Sequence, residues 1–279
     1  MAAGRGRRIV VTVAPNGGRR TKDDHPALPL TPEELAATAA ECLERGASMI
    51  HLHVRDAHGA HTLDPDAYRA AIAAICEAVG DRLVIQLTSE SVGRYSPLEQ
   101  QEVVLKTNPE AVTLALREIA PDRSHDKLFL EFLIKLKQNR IWPQIVLYSR
   151  EDALRLADMH KQGFIPFQRI SVLYVLGRFA LLRTAAPHDL LSFLGPDAPR
   201  FASWSVCAFG RSEIACVTAG ALLGGNVRVG FENNFLLPNG DRADSNADLV
   251  GAAVRALNDV GLRAQTADGL REEISGLME

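Results

Sequence analysis

The chain has 279 residues, of which 47% are hydrophobic and 23% are charged, and its formal net charge is −3. This composition is typical of an ordinary globular protein, and the slight negative charge argues against a nucleic-acid-binding protein, because such domains are usually basic. No apolar run reaches the roughly 18 residues that a membrane span needs, and the N-terminus lacks the apolar region of a signal peptide. We therefore expect a cytoplasmic enzyme with no nucleic-acid or membrane partner.

Strand and helix signals alternate along the chain. The first predicted strand, residues 9–13, is followed by a Pro-Asn-Gly-Gly turn and by a helix that begins at Thr31 and ends near Gly46. A capping residue, a proline and an acid mark that start, and the same pattern predicts another helix after Ser96. The other predicted strands are residues 49–54, 83–87, 111–116, 144–147, 169–176, 201–208 and 226–229, and the other predicted helices are residues 64–79, 126–139, 149–162, 188–193, 212–223 and 246–260.

Eight strand–helix units within one domain's length predict a parallel sheet covered by helices. Eight such units indicate a closed (β/α)₈ TIM barrel of about 250 residues. We therefore predict a single α/β domain over residues 1–279, with about the first eight residues as a flexible tail. The alternative is a doubly wound open sheet, which usually carries a GxGxxG loop after its first strand, and residues 15–18 do not match that loop.

The second predicted strand carries two histidines on one face. In an extended chain His51 and His53 point to the same side, while the apolar residues between and beside them point to the other. Two imidazoles at this spacing can hold one metal ion. The alternative is a pair of histidines that are hydrogen-bonded inside a core, because buried polar groups need partners.

The last predicted strand contributes a carboxylate to the same end of the barrel. Alternation places Arg228 and Glu232 on one face, and function in a barrel lies at the C-terminal ends of the strands. Glu232 with His51 and His53 would form an open site for zinc, although other divalent metals also fit. Two alternatives stay open: Glu232 only pairs with Arg228, and Arg228 is either that structural partner or a clamp for the substrate.

Further polar residues follow the other predicted strands. Arg211 lies at a helix start that suits a carboxylate or a phosphate, or it belongs to a plain turn. Arg19 either attracts an anionic substrate or lies in a solvated loop. His58 and His61 fall in a predicted loop, where we expect them to be solvated. Cys207 lies near the predicted mouth, but no histidine there is free to act as its base, so we do not expect it to be a nucleophile. The other candidates at strand ends are Asn16, Thr88, Glu90 and Glu118.

Taken together, motifs spread over the whole chain resemble the β-keto acid cleavage enzyme family. The HxHxRD run at residues 51–56 and the RVGxE run at residues 228–232 are specific as a pair, although either alone is weak. The remaining matching motifs are residues 12–18, 28–34, 46–48, 174–177, 204–211 and 224–234. The resemblance implies a zinc-dependent barrel enzyme, usually tetrameric, that converts a β-keto acid and acetyl-CoA into acetoacetate and a new acyl-CoA. An apolar stretch at residues 179–182 leaves room for the interface of a homotetramer or dimer.

The resemblance also implies residue roles. His51, His53 and Glu232 take the metal-ligand positions, and Arg228 takes the position of an arginine beside the reacting centre. Thr88 falls where the family commonly has a serine, so it joins Asn16, Arg19 and Arg211 as a predicted substrate-binding residue. In the implied reaction the metal ion acts as a Lewis acid and stabilises the enolate of the β-keto acid, which attacks the thioester of acetyl-CoA.

This sequence departs from the family pattern in three places. Asn233 stands where the family typically has an aspartate, and an amide cannot accept a proton, so Glu90 and Glu118 become candidates for the general base beside Arg228 and Asn233 in the predicted catalytic set. Residues 88–93 replace a Gly-rich turn. Residues 143–148 lack the acids usual at strand five, and we hypothesise that this loss disfavours a cationic amino-keto acid. The alternative functions are a CoA-independent zinc-dependent lyase or hydrolase on a small keto acid, and a metal-dependent binding protein without turnover.

Overall fold

Eight parallel strands close into a barrel in the order of the sequence in the computed structural model, which describes residues 7–179 and 184–278. The strands are β1 (Val11–Val13), β2 (Met49–Leu52), β3 (Val84–Thr88), β4 (Ala111–Ala115), β5 (Trp142–Leu147), β6 (Ser171–Leu176), β7 (Ser203–Ala208) and β8 (Asn226–Val229). Strand β8 pairs in parallel with β1, with Val229 opposite Val13, and this pairing closes the barrel. The predicted single (β/α)₈ barrel is confirmed, and the open sheet is wrong because an open sheet has two free edges.

Helices surround the barrel and begin where the sequence marks them. Thr31 and Ser96 each accept a hydrogen bond from the backbone N–H of the third helical residue, whose glutamate side chain accepts one in return. The α-helices are Pro32–Glu44, Pro65–Val79, Pro97–Thr107, Leu116–Ile119, Asp126–Gln138, Arg150–Lys161, Leu191–Leu194, Glu213–Leu222, Asn246–Asp259 and Ala267–Met278, with 3₁₀ turns at Arg123–His125 and Pro187–Leu190. Within the two described ranges, every helix is too short or too polar to cross a membrane.

Because side chains alternate between the two sides of each strand, the core has an outer part beneath the helices and an inner part inside the barrel. Outward-facing residues such as Ile50 and Leu87 pack under the helices. At the N-terminal end of the barrel, inward-facing Val84 and Trp142 pack against the C-terminal helix Ala267–Met278, which the sequence analysis did not predict. This apolar plug leaves the polar inward-facing residues at the opposite end, where the strands finish and where barrel enzymes place their sites.

Two short strand pairs flank the barrel. Arg8–Ile9 runs parallel to Arg263–Ala264, so Arg8 of the predicted tail pairs with the C-terminal part of the chain, while residues 1–6 of that tail lie outside the described residues. Val54–Arg55 runs antiparallel to His61–Thr62 in a hairpin directly after β2. In the apolar stretch at residues 179–182, Phe179 is 69% exposed, and residues 180–182 also lie outside the described residues.

Candidate active site

Three side chains from opposite ends of the sequence meet inside the mouth of the barrel. Glu232, in the turn after β8, places Oε2 3.3 Å from Nε2 of His53 and 3.7 Å from Nε2 of His51. One donor atom from each residue lies within 4.8 Å of the other two. Donor atoms around a tetrahedral zinc ion, with bonds of about 2.0–2.2 Å, are separated by about 3.3 Å. The three residues predicted as metal ligands therefore have the spacing that one divalent ion needs.

The donor atoms carry the charges that a metal site requires. Burial lowers the pKa of His51 to about 4 and that of His53 to about 3, so both rings are neutral at neutral pH and can present a lone pair. Burial by itself raises the pKa of Glu232, but the Arg228 guanidinium and the His53 and His51 rings together outweigh burial and hold that pKa well below its usual value. Within the described chain, both ring nitrogens of His53 and Oε2 of Glu232 are buried without a hydrogen-bond partner. Two neutral imidazoles and a carboxylate fit zinc or a related divalent ion.

A row of polar side chains inside the barrel orients His51. Nδ1 of His51 lies 3.0 Å from Oε1 of Gln86, its register partner on β3, so this nitrogen carries the proton and Nε2 faces Glu232. Nε2 of Gln86 donates to Oε1 of Gln144 at 3.3 Å, and Nε2 of Gln144 donates to Oγ of Ser205 at 3.2 Å. An acceptor on the far nitrogen of a ligating histidine fixes its tautomer and its ring orientation. The barrel interior therefore fixes the ring orientation of His51, with Nε2 directed toward Glu232.

Arg228 and Glu232 form an ion pair without using up the carboxylate. Nη2 of Arg228 donates to Oε1 of Glu232 at 2.9 Å and to Oδ1 of Asn233 at 3.4 Å, while Oε2 of Glu232 faces the imidazoles. The two interpretations of Glu232 from the sequence are thus compatible. Burial raises the pKa of the neighbouring Cys207 thiol to about 11, so this group is protonated at neutral pH and a nucleophilic role for it has no support.

Of the two predicted candidate bases, Glu90 has the suitable position. It lines the same cavity as the imidazoles, with Oε2 3.9 Å from Nε2 of His53 and Oε1 accepting from Nη2 of Arg178 at 2.9 Å. Burial raises the pKa of Glu90 to about 7, and the charge of Glu232 adds to the effect. Glu118 instead accepts a hydrogen bond from the backbone N–H of Ser91 at 2.7 Å and is not among the residues that line the cavity. Its contact orders the loop after β3.

The predicted substrate-binding residues divide into two groups. Thr88 lines the cavity, and exposed Arg19 lines an adjoining outer cavity. The prediction for Asn16 needs correction: its Nδ2 donates to the carbonyls of Pro29 and His53 at 2.9 Å each, and its Oδ1 accepts from the His53 N–H at 3.3 Å. Asn16 therefore holds the backbone at His53 and has little capacity left for a ligand. Arg211 is exposed and lines neither cavity.

Three residues at the site escaped the sequence analysis. Tyr148 and Arg178 line the cavity directly after β5 and β6, and their position at strand ends is the signal that could have identified them. The prediction that His61 is solvated is wrong: His61 is only 3% exposed, and its ring centroid lies 5.1 Å from that of His53. His58 from the same loop is exposed as expected. No sequence pattern separates these two histidines, because the hairpin after β2 decides which one faces inward.

A closed (β/α)₈ barrel with a histidine–histidine–carboxylate cluster at the C-terminal ends of its strands defines a barrel enzyme with a candidate divalent-metal centre. A family model described as beta-keto acid cleavage enzyme matches residues 8–275. The chain belongs to the β-keto acid cleavage enzyme family, which confirms the resemblance and identifies the protein as an enzyme.

Individual relatives agree with this membership. The 3-keto-5-aminohexanoate cleavage enzyme of Fusobacterium nucleatum is 32% identical over 275 residues, which cover 96% of this chain and 98% of the relative. The 3-oxoadipate:acetyl-CoA acetyltransferase of Cupriavidus necator is 26% identical, with 90% and 89% covered. Among solved structures, the ternary complex of ObcA with C4-CoA adduct and oxalate matches with a TM-score of 0.70 at 16% identity, covering 90% of this chain and 68% of that chain. This structural match supports the barrel fold.

Proposed function

We propose that this enzyme converts a β-keto acid and acetyl-CoA into acetoacetate and a new acyl-CoA. The observation that carries the proposal is one cavity into which the imidazoles of His51 and His53, the carboxylates of Glu90 and Glu232, and Arg228 all project. Family membership supports cleavage of a β-keto acid, and the Cupriavidus relative, a 3-oxoadipate:acetyl-CoA acetyltransferase, supports acetyl-CoA as the acyl donor. The overall exchange balances, because the acetyl group joins the two-carbon acid unit while the original acyl group moves to the CoA sulfur.

We also propose that His51, His53 and Glu232 hold a zinc ion. When bound, a divalent ion supplies Lewis-acid stabilisation of the negative charge that develops on a keto oxygen. The proposal is supported by the buried donor atoms of His53 and Glu232, which have no hydrogen-bond partner in the described chain. Nε of Arg228 is likewise buried and unpartnered there, so Arg228 can donate to a substrate carboxylate while Nη2 stays on Glu232.

Glu90 is our candidate for the general base. Its carboxylate can take a proton from the carbon between the keto and carboxylate groups of a substrate that occupies the cavity, and the proton would rest on a Glu90 oxygen. Asn233 cannot do this, because its Oδ1 accepts a hydrogen bond from Arg228 and an amide has no basic lone pair. We therefore assign Asn233 the task of steadying Arg228.

The side chains that form the wall of the cavity indicate which kind of substrate it can accept. Val146, Tyr148, Val175 and Phe209 form an apolar and aromatic side, and β5 supplies no acid to it. Both buried carboxylates that line the outer cavity already have a cationic partner: Glu90 pairs with Arg178 and Glu232 pairs with Arg228. We propose that the variable end of the substrate is uncharged, because an unpaired ammonium group would lose its hydration at this wall without gaining a carboxylate partner.

A panel of β-keto acids, assayed with and without acetyl-CoA, tests the proposal. We expect acetoacetate and a new acyl-CoA by mass spectrometry, only when acetyl-CoA is present, with faster turnover of neutral keto acids than of 3-keto-5-aminohexanoate. Equal rates on the two kinds of substrate contradict the uncharged-end proposal. Turnover without CoA would instead support a lyase or hydrolase, the alternative that Asn233 at the family's aspartate position favours. Stoichiometric zinc without turnover on any keto acid would support a binding protein.

A further inference from the structure

A third imidazole lies behind the candidate metal ligands. His61 belongs to the strand His61–Thr62, which pairs with Val54–Arg55 immediately after His53, with Arg55 opposite His61. This hairpin folds the chain back and buries His61 at 3% exposure. The ring centroids of His53 and His61 are 5.1 Å apart with an interplanar angle of 56°. His61 is therefore buried and packed against His53, one of the candidate metal ligands.

The unused hydrogen-bonding groups of the two rings are complementary. Nε2 of His61 lies 2.8 Å from the backbone carbonyl oxygen of Glu90, and since a carbonyl only accepts, this nitrogen carries the proton. Nδ1 of His61 is then an acceptor, and it is buried without a partner among the described residues. His53 faces Glu232 through Nε2, so its Nδ1 carries the proton when Nε2 is a ligand, and that Nδ1 is also buried without a described partner.

We propose that His61 is a positioning residue for His53, accepting a hydrogen bond at Nδ1 from Nδ1–H of His53 when His53 binds a metal ion. The proposal rests on the metal site proposed above. It supplies each unpartnered nitrogen with the missing donor or acceptor. It also gives His53 what Gln86 already gives His51, a fixed tautomer and ring orientation. Through its other nitrogen, His61 ties the ligand to the backbone of the candidate base Glu90.

Two substitutions separate this role from a purely structural one. His61→Asn places an amide oxygen at the δ position, where it can accept from His53, but it loses the donor to the Glu90 carbonyl. His61→Gln places an amide N–H at the ε position, where it can keep the Glu90 contact, but it loses the δ acceptor. If His61 acts through His53, asparagine preserves metal binding and glutamine does not; if it only holds the Glu90 loop, the order is reversed.

The measurement is zinc affinity by competition with a chromophoric chelator on the full-length metal-free protein. We expect His61→Gln to weaken zinc binding about 10–100-fold, which is the usual effect of losing a residue that hydrogen-bonds to a metal ligand. The zinc affinity of His61→Asn should stay within about threefold of that of the unaltered protein. The visible spectrum of the cobalt-substituted protein should change for glutamine and not for asparagine. His58→Gln, in the exposed part of the same loop, is the matched control and should change neither readout.

Each outcome bears on a different claim. Normal affinity in His61→Gln, or loss only in His61→Asn, overturns the role of His61 while leaving the metal site intact. Absence of zinc binding by the unaltered protein overturns the metal site and the inference with it. Circular dichroism and thermal unfolding of the metal-free variants show whether a weak binder is folded. A folded His61→Gln that binds zinc weakly, beside a His61→Asn that binds normally, supports the proposal.

Discussion

The pair formed by Arg228 and Glu232 allows a quantitative test of the site. The Arg228 side chain is 6% exposed and that of Glu232 is 13% exposed, so Glu232→Gln leaves a buried guanidinium without its counter-charge. Removing one partner of a buried pair costs about 3–5 kcal/mol of folding free energy. Glutamine keeps an oxygen that can accept from Nη2, and Arg228 also donates to Asn233, so we expect a smaller loss of about 2–3 kcal/mol.

The assay is urea unfolding of the metal-free protein, which reports the free energy of unfolding without a contribution from bound metal. Lys22→Met is the matched control, because Lys22 pairs with Glu34 at the surface, where the two side chains are 44% and 37% exposed, and an exposed pair contributes at most about 1 kcal/mol. The double variant Arg228→Met/Glu232→Gln should recover part of the loss, because it no longer buries an unpaired charge.

The single variant Glu232→Gln should also bind zinc poorly. Glu232 is one of three proposed ligands. Its replacement should therefore weaken zinc binding by more than about 100-fold, which is the largest loss expected when only a residue that hydrogen-bonds to a ligand is removed. A stability loss in Glu232→Gln no larger than that of Lys22→Met would refute the reasoning about the buried pair. Undiminished zinc affinity would separately refute the assignment of Glu232 as a ligand.

Three further outcomes are expected. Gln86→Leu should weaken zinc binding about 10–100-fold in the chelator competition, because the proposed ligand next to it loses its acceptor, and unchanged affinity would deny Gln86 that role. Glu90→Gln should lower kcat by about 10²–10⁴-fold and Glu118→Gln by less than about tenfold, and the opposite order in steady-state assays would exchange their assignments. In the native protein a thiol reagent should label Cys76 alone, as read by peptide mass spectrometry, because the other three cysteines are buried; labelling of Cys207 at neutral pH would contradict its raised pKa.

The sequence determined the architecture because the signals that encode it are local. Capping boxes at Thr31 and Ser96 mark helix starts, and short apolar runs between helices mark buried parallel strands, so a pattern of eight units suffices for a closed barrel. Period-two alternation also placed His51 and Arg228 on the inner faces of their strands, whereas Glu232 reaches the mouth from the turn after β8. The C-terminal helix was missed, although Leu270, Ile274 and Leu277 show helical spacing, because no later strand followed to frame it.

Only the tertiary structure decided what each polar side chain does at the mouth. Glu90 and Glu118 both follow strands, yet Glu90 lines the cavity and Glu118 accepts from a backbone N–H, since the loop after β3 and the short helix Leu116–Ile119, not strand register, set their directions. Asn16 and His61 were misassigned for the same reason: their partners are backbone groups of residues distant in sequence, the former at His53 and the latter at Glu90. Hydrogen bonds between distant segments leave no periodic trace in a sequence, so they become visible only when the barrel closes.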